Sequence, residues 1–518
     1  MSYAAAVDHL YALGHELAPI PASAPRRKFD LAHMRVLAAA LGDPQTTFPS
    51  VLIAGTNGKG STAATLASIL TAAGYRTGLY TSPHLVRVNE RIQIDGAQIH
   101  DEDFARLYFQ VDETARHLVE AGDLPHPPSF FEVLTALAFL YFAGKGPGFA
   151  EKEPGEAKPV DIAILEVGLG GRLDATNIVD PLLSIITDIA LDHQDYLGDT
   201  IAEITREKAG ILRPNGTLIT LPQHPEANQA IGEAAAELNL RAISAASFIP
   251  HLPPRSDRQQ PAPDTALSTE VQRSGETRFS TSSLEELLSG SPQPLPRNRY
   301  TVTLDGEPLE VDSPLAGHHQ QRNIALAIAA ASELRNQKHY NITQNEPIRN
   351  LESYNISNAA IETGIRNTTW PGRLELLTFP EGPSLLLDVA HNPAGAWALR
   401  AAIAQLPEGQ PRTLIFSCLR DKNLKEMSQI LFPLFDSSAG DPERSKDHIL
   451  FAPIDNPRAA GIEELLAAAH ALDIPAHAAP HLAFALARAR VVTPPEGVII
   501  ATGSVYLVGE IRHIAVQG

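Results

Sequence analysis

The chain has 518 residues, 44% of them hydrophobic, which is enough for two to three domains with sizeable cores. A formal charge of −19 excludes a nucleic-acid backbone as ligand, because that contact needs basic faces, but it permits a local cationic pocket for one nucleotide. Cys418 is the only cysteine, which excludes an intramolecular disulfide and a cysteine-built zinc site.

The first ten residues, MSYAAAVDHL, lack a basic stretch leading into an apolar core. The most apolar helical run, 130–143, is too short to span a bilayer. The expectation is a cytoplasmic protein without membrane contact.

Residues 51–54 predict a buried strand that feeds Gly55, Thr56, Asn57, Gly58, Lys59, Gly60, Ser61 and Thr62, with a helix over 62–70. A strand, a glycine-rich turn and a helix N-terminus together attract anions. Backbone N–H groups converge there, and the helix dipole favours negative charge. Lys59 adds a cation, and a hydroxyl at 61 or 62 can ligate magnesium. Gly60, between Lys59 and Ser61, breaks the strict G-x-x-x-x-G-K-[ST] pattern, so a tight turn with an incidental lysine stays open on this stretch alone.

Further strands are expected at 77–80, 161–166, 183–187 and 217–221, with helices at 130–143 and 201–209 between them. That alternation predicts an α/β fold with a mostly parallel sheet, helices on both faces and ligands at the carboxyl ends of the strands. Three segments interrupt it, 144–159, 246–297 and 336–358. The second is rich in Pro, Ser, Gln and Arg, cannot bury much apolar surface, and reads as a flexible insertion. A hairpin is expected over 300–311 across Asp305 and Gly306, then an alanine-rich helix within 317–331. A second alternating unit follows Trp370, with strands at 384–388, 412–417, 448–452 and 497–502. The domains are therefore set at 1–367 and 370–518.

Several of these strands end in chemistry. Glu166 closes 161–166 before Gly168, Gly170, Gly171, Arg172, Asp174 and Asn177. A carboxylate at a strand end opposite a phosphate loop suits magnesium, and a charged strand end in water suits it equally. Asp188, Asp192, His193 and Asp195 follow the next strand, where a metal or phosphate role competes with a structural one. Lys208 sits before Gly210 at a helix end, where a cation complements the dipole and glycine caps, and nothing in its spacing singles it out. Asp388, His391, Asn392 and Pro393, then 417–423, then 502–506 also follow strands, which suggests a ligand-facing edge in the second unit.

Taken in order, these strings resemble the folylpolyglutamate synthase/dihydrofolate synthase family within the Mur ligase superfamily. The matching residues begin with Gly55–Ser61, Thr81-Ser-Pro-His-Leu85, Asn89-Glu-Arg-Ile92 and Phe130-Phe-Glu132. They continue with 166–177, Asp192-His193, Leu197-Gly198 and Arg206-Glu-Lys-Ala-Gly-Ile211. Gly317-His-His-Gln with Asn323, Trp370-Pro-Gly-Arg-Leu-Glu375, Asp388 with His391-Asn-Pro393, and Thr502-Gly-Ser-Val-Tyr506 complete the series. Ten motifs in the right order cover the chain from about residue 28 onward, apart from the insertions.

The resemblance implies a P-loop-type N-terminal domain and a smaller Rossmann-like C-terminal domain. It implies an ATP- and Mg²⁺-dependent ligase, with two magnesium sites, that adds L-glutamate to folate or dihydropteroate through an acyl phosphate, as a monomer. Lys59 and the loop amides from Gly55 to Thr62 would hold phosphates. Ser82 and Glu166 would bind one magnesium, and His193 a second. Lys208 matches the family's carbamylated lysine. Asn323 and Arg373 would contact nucleotide, and Asp388 and His391 the ribose and base. The family carries glycine where Val389 stands, and valine would fit poorly if that turn needed a positive φ. Two alternatives are a cell-wall Mur-type amino-acid ligase, disfavoured by the 81–85 and 166–177 strings, and a noncatalytic nucleotide-binding module. The guanine-reading N-K-x-D string of a GTPase is absent.

Overall fold

The structure is a computed structural model that describes residues 2–14, 31–145, 158–250, 295–336, 339–343, 346–351, 353–407, 409–437 and 446–517. Its centre is β1, Ser50–Ala54, buried at every position. Around it lie β2 (Thr77–Tyr80), β3 (Ile92–Ile94), β4 (Ala97–Gln98), β5 (Ile162–Glu166), β6 (Leu183–Ile186), β7 (Thr217–Thr220) and β8 (Arg241–Ser244). They form one sheet in the order β4-β3-β2-β5-β1-β6-β7-β8. The run from β2 to β8 is parallel, and β3 and β4 add an antiparallel edge. The central strands read as unbroken apolar runs because both faces are covered.

One face packs beneath the helices Leu31–Ala40, Asp101–Ala121 and Phe130–Phe142. The other packs beneath Lys59–Ala72, His318–Asn336 and Asn358–Asn367. Phe130–Phe142 is buried on nearly all sides, which explains its lack of a polar face. Its start is a capping box: Ser129 N–H donates to the Glu132 carboxylate at 2.7 Å, and Glu132 N–H donates to Ser129 Oγ at 3.3 Å. The Phe130–Glu132 string is thus a helix start.

A hairpin of β9 (Asn298–Leu304) and β10 (Glu307–Ser313) turns at Asp305 and Gly306, both with positive φ as such a two-residue turn requires. The second sheet comprises β13 (Glu375–Leu377), β14 (Ser384–Leu387), β15 (Arg412–Phe416), β16 (His448–Phe451), β17 (His477–Ala478) and β18 (Val498–Thr502). Its order is β13-β14-β18-β15-β16-β17, parallel except for β13. Leu295 and Ala316 from the preceding segment pack into this second core.

Several features depart from expectation. Between them, β11 (His339–Thr343) and β12 (Glu346–Leu351) form an antiparallel hairpin inside the 336–358 interruption. Most of 144–159 and of 246–297 lies outside the described residues. Strands β3, β4, β8, β13 and β17 are short or at the sheet margins, where an apolar run gives little signal. The first phosphate-loop helix begins at Lys59, not residue 62. Gly58 turns at φ +90°, and Thr62 N–H already reaches Gly58 O at 2.9 Å. Among the described residues, no helix is long and apolar enough to cross a membrane.

Phe142 is fully buried, 5.9 Å from the Phe48 ring, and a Cβ on Gly78 would stand 2.9 Å from it. Phe142→Ala is expected to destabilise the N-terminal domain by about 3–5 kcal/mol, read as a lowered urea midpoint.

Candidate active site

The register of the first sheet assembles the site. Ile53 pairs with Glu166 and Ala54 with Ile186, so the loop after β1, the end of β5 and the loop after β6 emerge side by side. The phosphate loop is bolted to its neighbour. Thr56 and Asn57 donate their N–H groups to Asp188 O at 2.8 and 3.1 Å, and Thr56 Oγ1 donates to Ala190 O at 3.1 Å. The Asp188 carboxylate in turn takes Arg322 Nε at 2.8 Å and Nη2 at 2.5 Å. Asn323, one residue on, sets its amide against Gly58, where a Cβ would collide with it.

Lys59 Nζ folds over the loop, 3.2 Å from Gly55 O and 3.3 Å from Thr56 O. Gly60 has a packing reason that no motif reveals: a Cβ there would stand 2.9 Å from Trp370 Cζ2. The glycine inserted between lysine and serine therefore admits the indole of the segment linking the two sheets. Ser61 and Thr62 are buried in the first helical turn. Among the described residues, Thr62 Oγ1 meets no hydrogen-bond partner.

Glu166 is buried and accepts Ser82 N–H at 3.2 Å. Burial pushes its carboxyl pKa up, against the pull of Lys59, the Ser82 amide, Arg373 and Arg91. The glycine-rich loop behind it is self-capped. Asp174 accepts the N–H groups of Gly168 (2.9 Å), Leu169 (3.0 Å) and Thr176 (3.0 Å). Arg172 N–H reaches Glu207 O at 2.9 Å, which docks this loop on the helix Ile201–Lys208.

That docking buries Lys208, whose Nζ donates to Gly55 O at 2.8 Å. Burial, joined by the charge of Lys59, lowers its pKa to about 7 against the pull of Asp192 and Asp174, so a large fraction is neutral amine near neutrality.

His193 takes a left-handed backbone, φ +52°, just before a short helix. Burial and the nearby Lys422 lower its pKa to about 3, so the ring is neutral. Among the described residues, its buried Nδ1 has no hydrogen-bond partner, which makes that atom available to a metal. Its neighbour Asp192 accepts from the second domain: Lys422 Nζ at 2.6 Å and Asn392 Nδ2 at 3.1 Å, with His391 Nε2 at 3.6 Å. Burial alone would raise the Asp192 pKa, but the hydrogen bond to His391 and the charge of Lys422 hold it well below the carboxylate range. Asn392 Nδ2 also donates to Asn57 Oδ1 at 3.0 Å and so touches the phosphate loop directly.

Arg373 follows Gly372, and burial lowers its guanidinium pKa against the attraction of Asp388 and Glu166. Asp388 fastens this turn by accepting Leu374 N–H at 3.0 Å and Ala390 N–H at 2.9 Å. Val389 is not among the residues with positive φ, and its N–H donates to Gly372 O at 3.0 Å, so the turn accommodates valine. His391 Nδ1 donates to Val389 O at 2.9 Å.

Lys59, Glu166, His193, Lys208 and Ser82 thus gather at the strand ends, with Arg373, Asp388 and His391 entering from the second unit. Sequence reasoning missed Asp188–Arg322 and the roles of Asn392 and Lys422. Lys422 stood in a string already noticed after β15, but its partner lies 230 residues away. Beside these groups a cavity of about 370 Å³ opens between the sheets. Phe131, Leu173, Tyr196 and Leu197 give it apolar walls, Ser82 and His193 stand at one side, and Lys422, Arg458 and Tyr506 come from the second domain.

Comparison with known proteins accords with this geometry. The Mur ligase middle domain matches residues 153–331, and the Mur ligase glutamate ligase domain matches 372–505. A dihydrofolate synthase/folylpolyglutamate synthase of Bacillus subtilis is 33% identical over 93% of this chain and 94% of its own length. The chain belongs to the dihydrofolate synthase/folylpolyglutamate synthase family. A family member from Escherichia coli is 31% identical over 84% of this chain and 80% of its own. The folylpolyglutamate synthase of Mycobacterium tuberculosis, solved with ADP and AMPPCP, superposes with a TM-score of 0.73 at 27% identity, covering 99% of this chain and 98% of that one. Escherichia coli FolC in complex with DHPP and ADP superposes at 0.70 and 27%, covering 100% and 98%.

Gly58→Ala places a side chain at φ +90° against Asn323. It is expected to weaken ADP binding by roughly tenfold or more, measured by calorimetry, because the loop amides lose their alignment.

Proposed function

We propose that this chain is an ATP-dependent ligase that joins L-glutamate to folates and to dihydropteroate. The observation that carries the reading is one convergence. A phosphate loop, buried Glu166 and buried Lys208 meet at the ends of adjacent strands, closed by Asn392 and Lys422 from the second domain beside an apolar-walled cavity. In this reading the cavity takes the pterin and benzoyl rings and presents the substrate carboxylate toward the phosphates.

A carboxylate oxygen attacks the γ-phosphorus of ATP. The bond to the ADP oxygen breaks and an acyl phosphate forms. The glutamate amine then attacks the acyl carbon, phosphate leaves and the amine loses a proton, giving the amide. The protein contributes positioning and charge neutralisation. Lys59 and the loop amides from Gly55 to Thr62 hold phosphates, Asn323 and Arg373 contact nucleotide, and Asp388 and His391 face ribose and base from the second domain. The boundary between the domains falls at about 367–370.

The residues fit magnesium. No group of three or more His, Cys, Asp or Glu able to cage a metal occurs among the described residues, and magnesium bound to ATP needs only one or two protein ligands beside phosphates and water. Ser82 and Glu166 would hold one ion, and His193, through its unpartnered Nδ1, a second with Lys208. The ion supplies charge neutralisation on the phosphates. Lys208 suits this role as a carbamate: its neutral amine adds to CO2 and releases a proton, and the cation becomes a carboxylate-like anion. The protein acts as a cytoplasmic monomer.

Purified chain with ATP, Mg²⁺, L-glutamate and dihydropteroate or a reduced folate is expected to yield a product heavier by one glutamate residue. If neither substrate gains it while a muramyl precursor gains an amino acid, the folate reading is wrong. Lys208→Ala is expected to abolish turnover, and ¹³C-bicarbonate should give a carbamate resonance in the parent that the variant lacks. Carbamate forms from neutral amine, so with a pKa of about 7 that resonance should weaken as pH falls through neutrality. Full activity in Lys208→Ala would remove the carbamate.

A further inference from the structure

The chemistry above leaves one close contact unused, between the loop bearing Ser82 and the helix Val505–Gln517 of the second domain. Glu90 folds this loop by accepting N–H groups from Leu85 (2.7 Å), Val86 (3.0 Å) and Arg87 (2.8 Å). Thr81 N–H closes its base on Arg91 O at 3.0 Å. At one end of the loop, Ser82 N–H rests on Glu166. At the other, Leu85 leaves its own domain and, half-buried, packs against the core of the second sheet that contains Leu387, Val389 and Leu507.

One glycine makes that seat: a Cβ on Gly509 would collide with the Leu85 carbonyl oxygen. Gly509 is buried within its helix, where glycine is a poor former, and the close approach of the loop backbone is what its missing side chain permits. The loop is therefore held at Ser82 by one domain and at Leu85 by the other, and the three-amide clasp on Glu90 fixes the backbone at the Leu85 end.

We propose that Leu85 and Gly509 are positioning residues: their contact is how docking of the C-terminal domain sets the Ser82 loop for phosphoryl transfer. This rests on the placement of Ser82 and Glu166 at the phosphates and metal. Neither residue touches the reacting atoms. A loop that arrives with the second domain ties phosphorylation of the substrate to a closed cleft, where the acyl phosphate is shielded from water.

The test uses the full chain with Gly509→Ala, Leu85→Ala, Leu85→Met and Ser82→Ala. Steady-state constants, ADP affinity and the rate of trypsin cleavage after exposed Arg87 are measured for each. Gly509→Ala and Leu85→Ala are expected to lower kcat about tenfold or more, keep the ADP Kd within about threefold, and speed cleavage after Arg87. Leu85→Met, which conserves volume, should retain parent behaviour within about threefold. Ser82→Ala should lower kcat without changing cleavage.

Parent-like kcat in Leu85→Ala beside a crippled Ser82→Ala would overturn the coupling alone. So would ADP affinity falling in step with kcat. Full kcat in Ser82→Ala would overturn the Ser82 placement and this route with it. Should Gly509→Ala fail to fold, the Leu85→Ala and Leu85→Met pair decides.

Discussion

Asp192 is the residue on which the two halves of this molecule depend. A buried carboxylate is costly unless paired, and beside the His193 N–H of its own loop, at 2.9 Å, the closest side-chain partners of Asp192 come from the second domain: Lys422, Asn392 and His391. The pairing is reciprocal, because the Lys422 side chain is itself only 5% exposed. Separating the domains would break this pair and return both charges to water, so the pair is buried only because the domains are docked. His193 stands next in the chain and Asn57 shares Asn392, so this pair lies directly beside both the His193 imidazole and the glycine-rich loop.

The rest of the site follows from strand register. Parallel pairing of β5, β1 and β6 places three strand ends in a row, and the loop chemistry at each then meets its neighbour without long excursions. The backbone tie of Asp188 O to Thr56 and Asn57, backed by Arg322, turns two adjacent loops into one rigid floor. Rigid placement is what transfer of a phosphoryl group demands, since little covalent chemistry falls to the protein.

Much of this was legible in the chain. Strands buried on both faces announce themselves as apolar runs, and the glycine-rich turn after β1 carries its anion-binding logic locally. What was not legible was set by distance along the chain. Gly60 looked like a defect in a motif until Trp370, 310 positions later, lay across it. Lys208 at a helix end reads as a dipole complement by spacing alone. Only burial against Gly55 O, with Lys59 near, gives it a depressed pKa. Val389 looked incompatible with its turn because φ is a property of the folded backbone, and the structure gives it an ordinary value. The marginal strands escaped because four residues at a sheet edge, such as Arg241–Ser244, need bury little.

A final point concerns charge. A chain with net −19 has brought the ammonium groups of Lys59, Lys208 and Lys422 close enough that Lys59 and Lys422 both depress Lys208. Like charges in a poorly solvated corner are unfavourable, and each lysine meets this differently. Lys59 caps carbonyls of its own loop, and Lys422 is neutralised by Asp192. Among the described residues, Lys208 has only a backbone carbonyl as its hydrogen-bond partner, and burial with the charges of Lys59 and Lys422 lowers its pKa to about 7. The repulsion among three cations here is what any added negative charge in this corner would relieve.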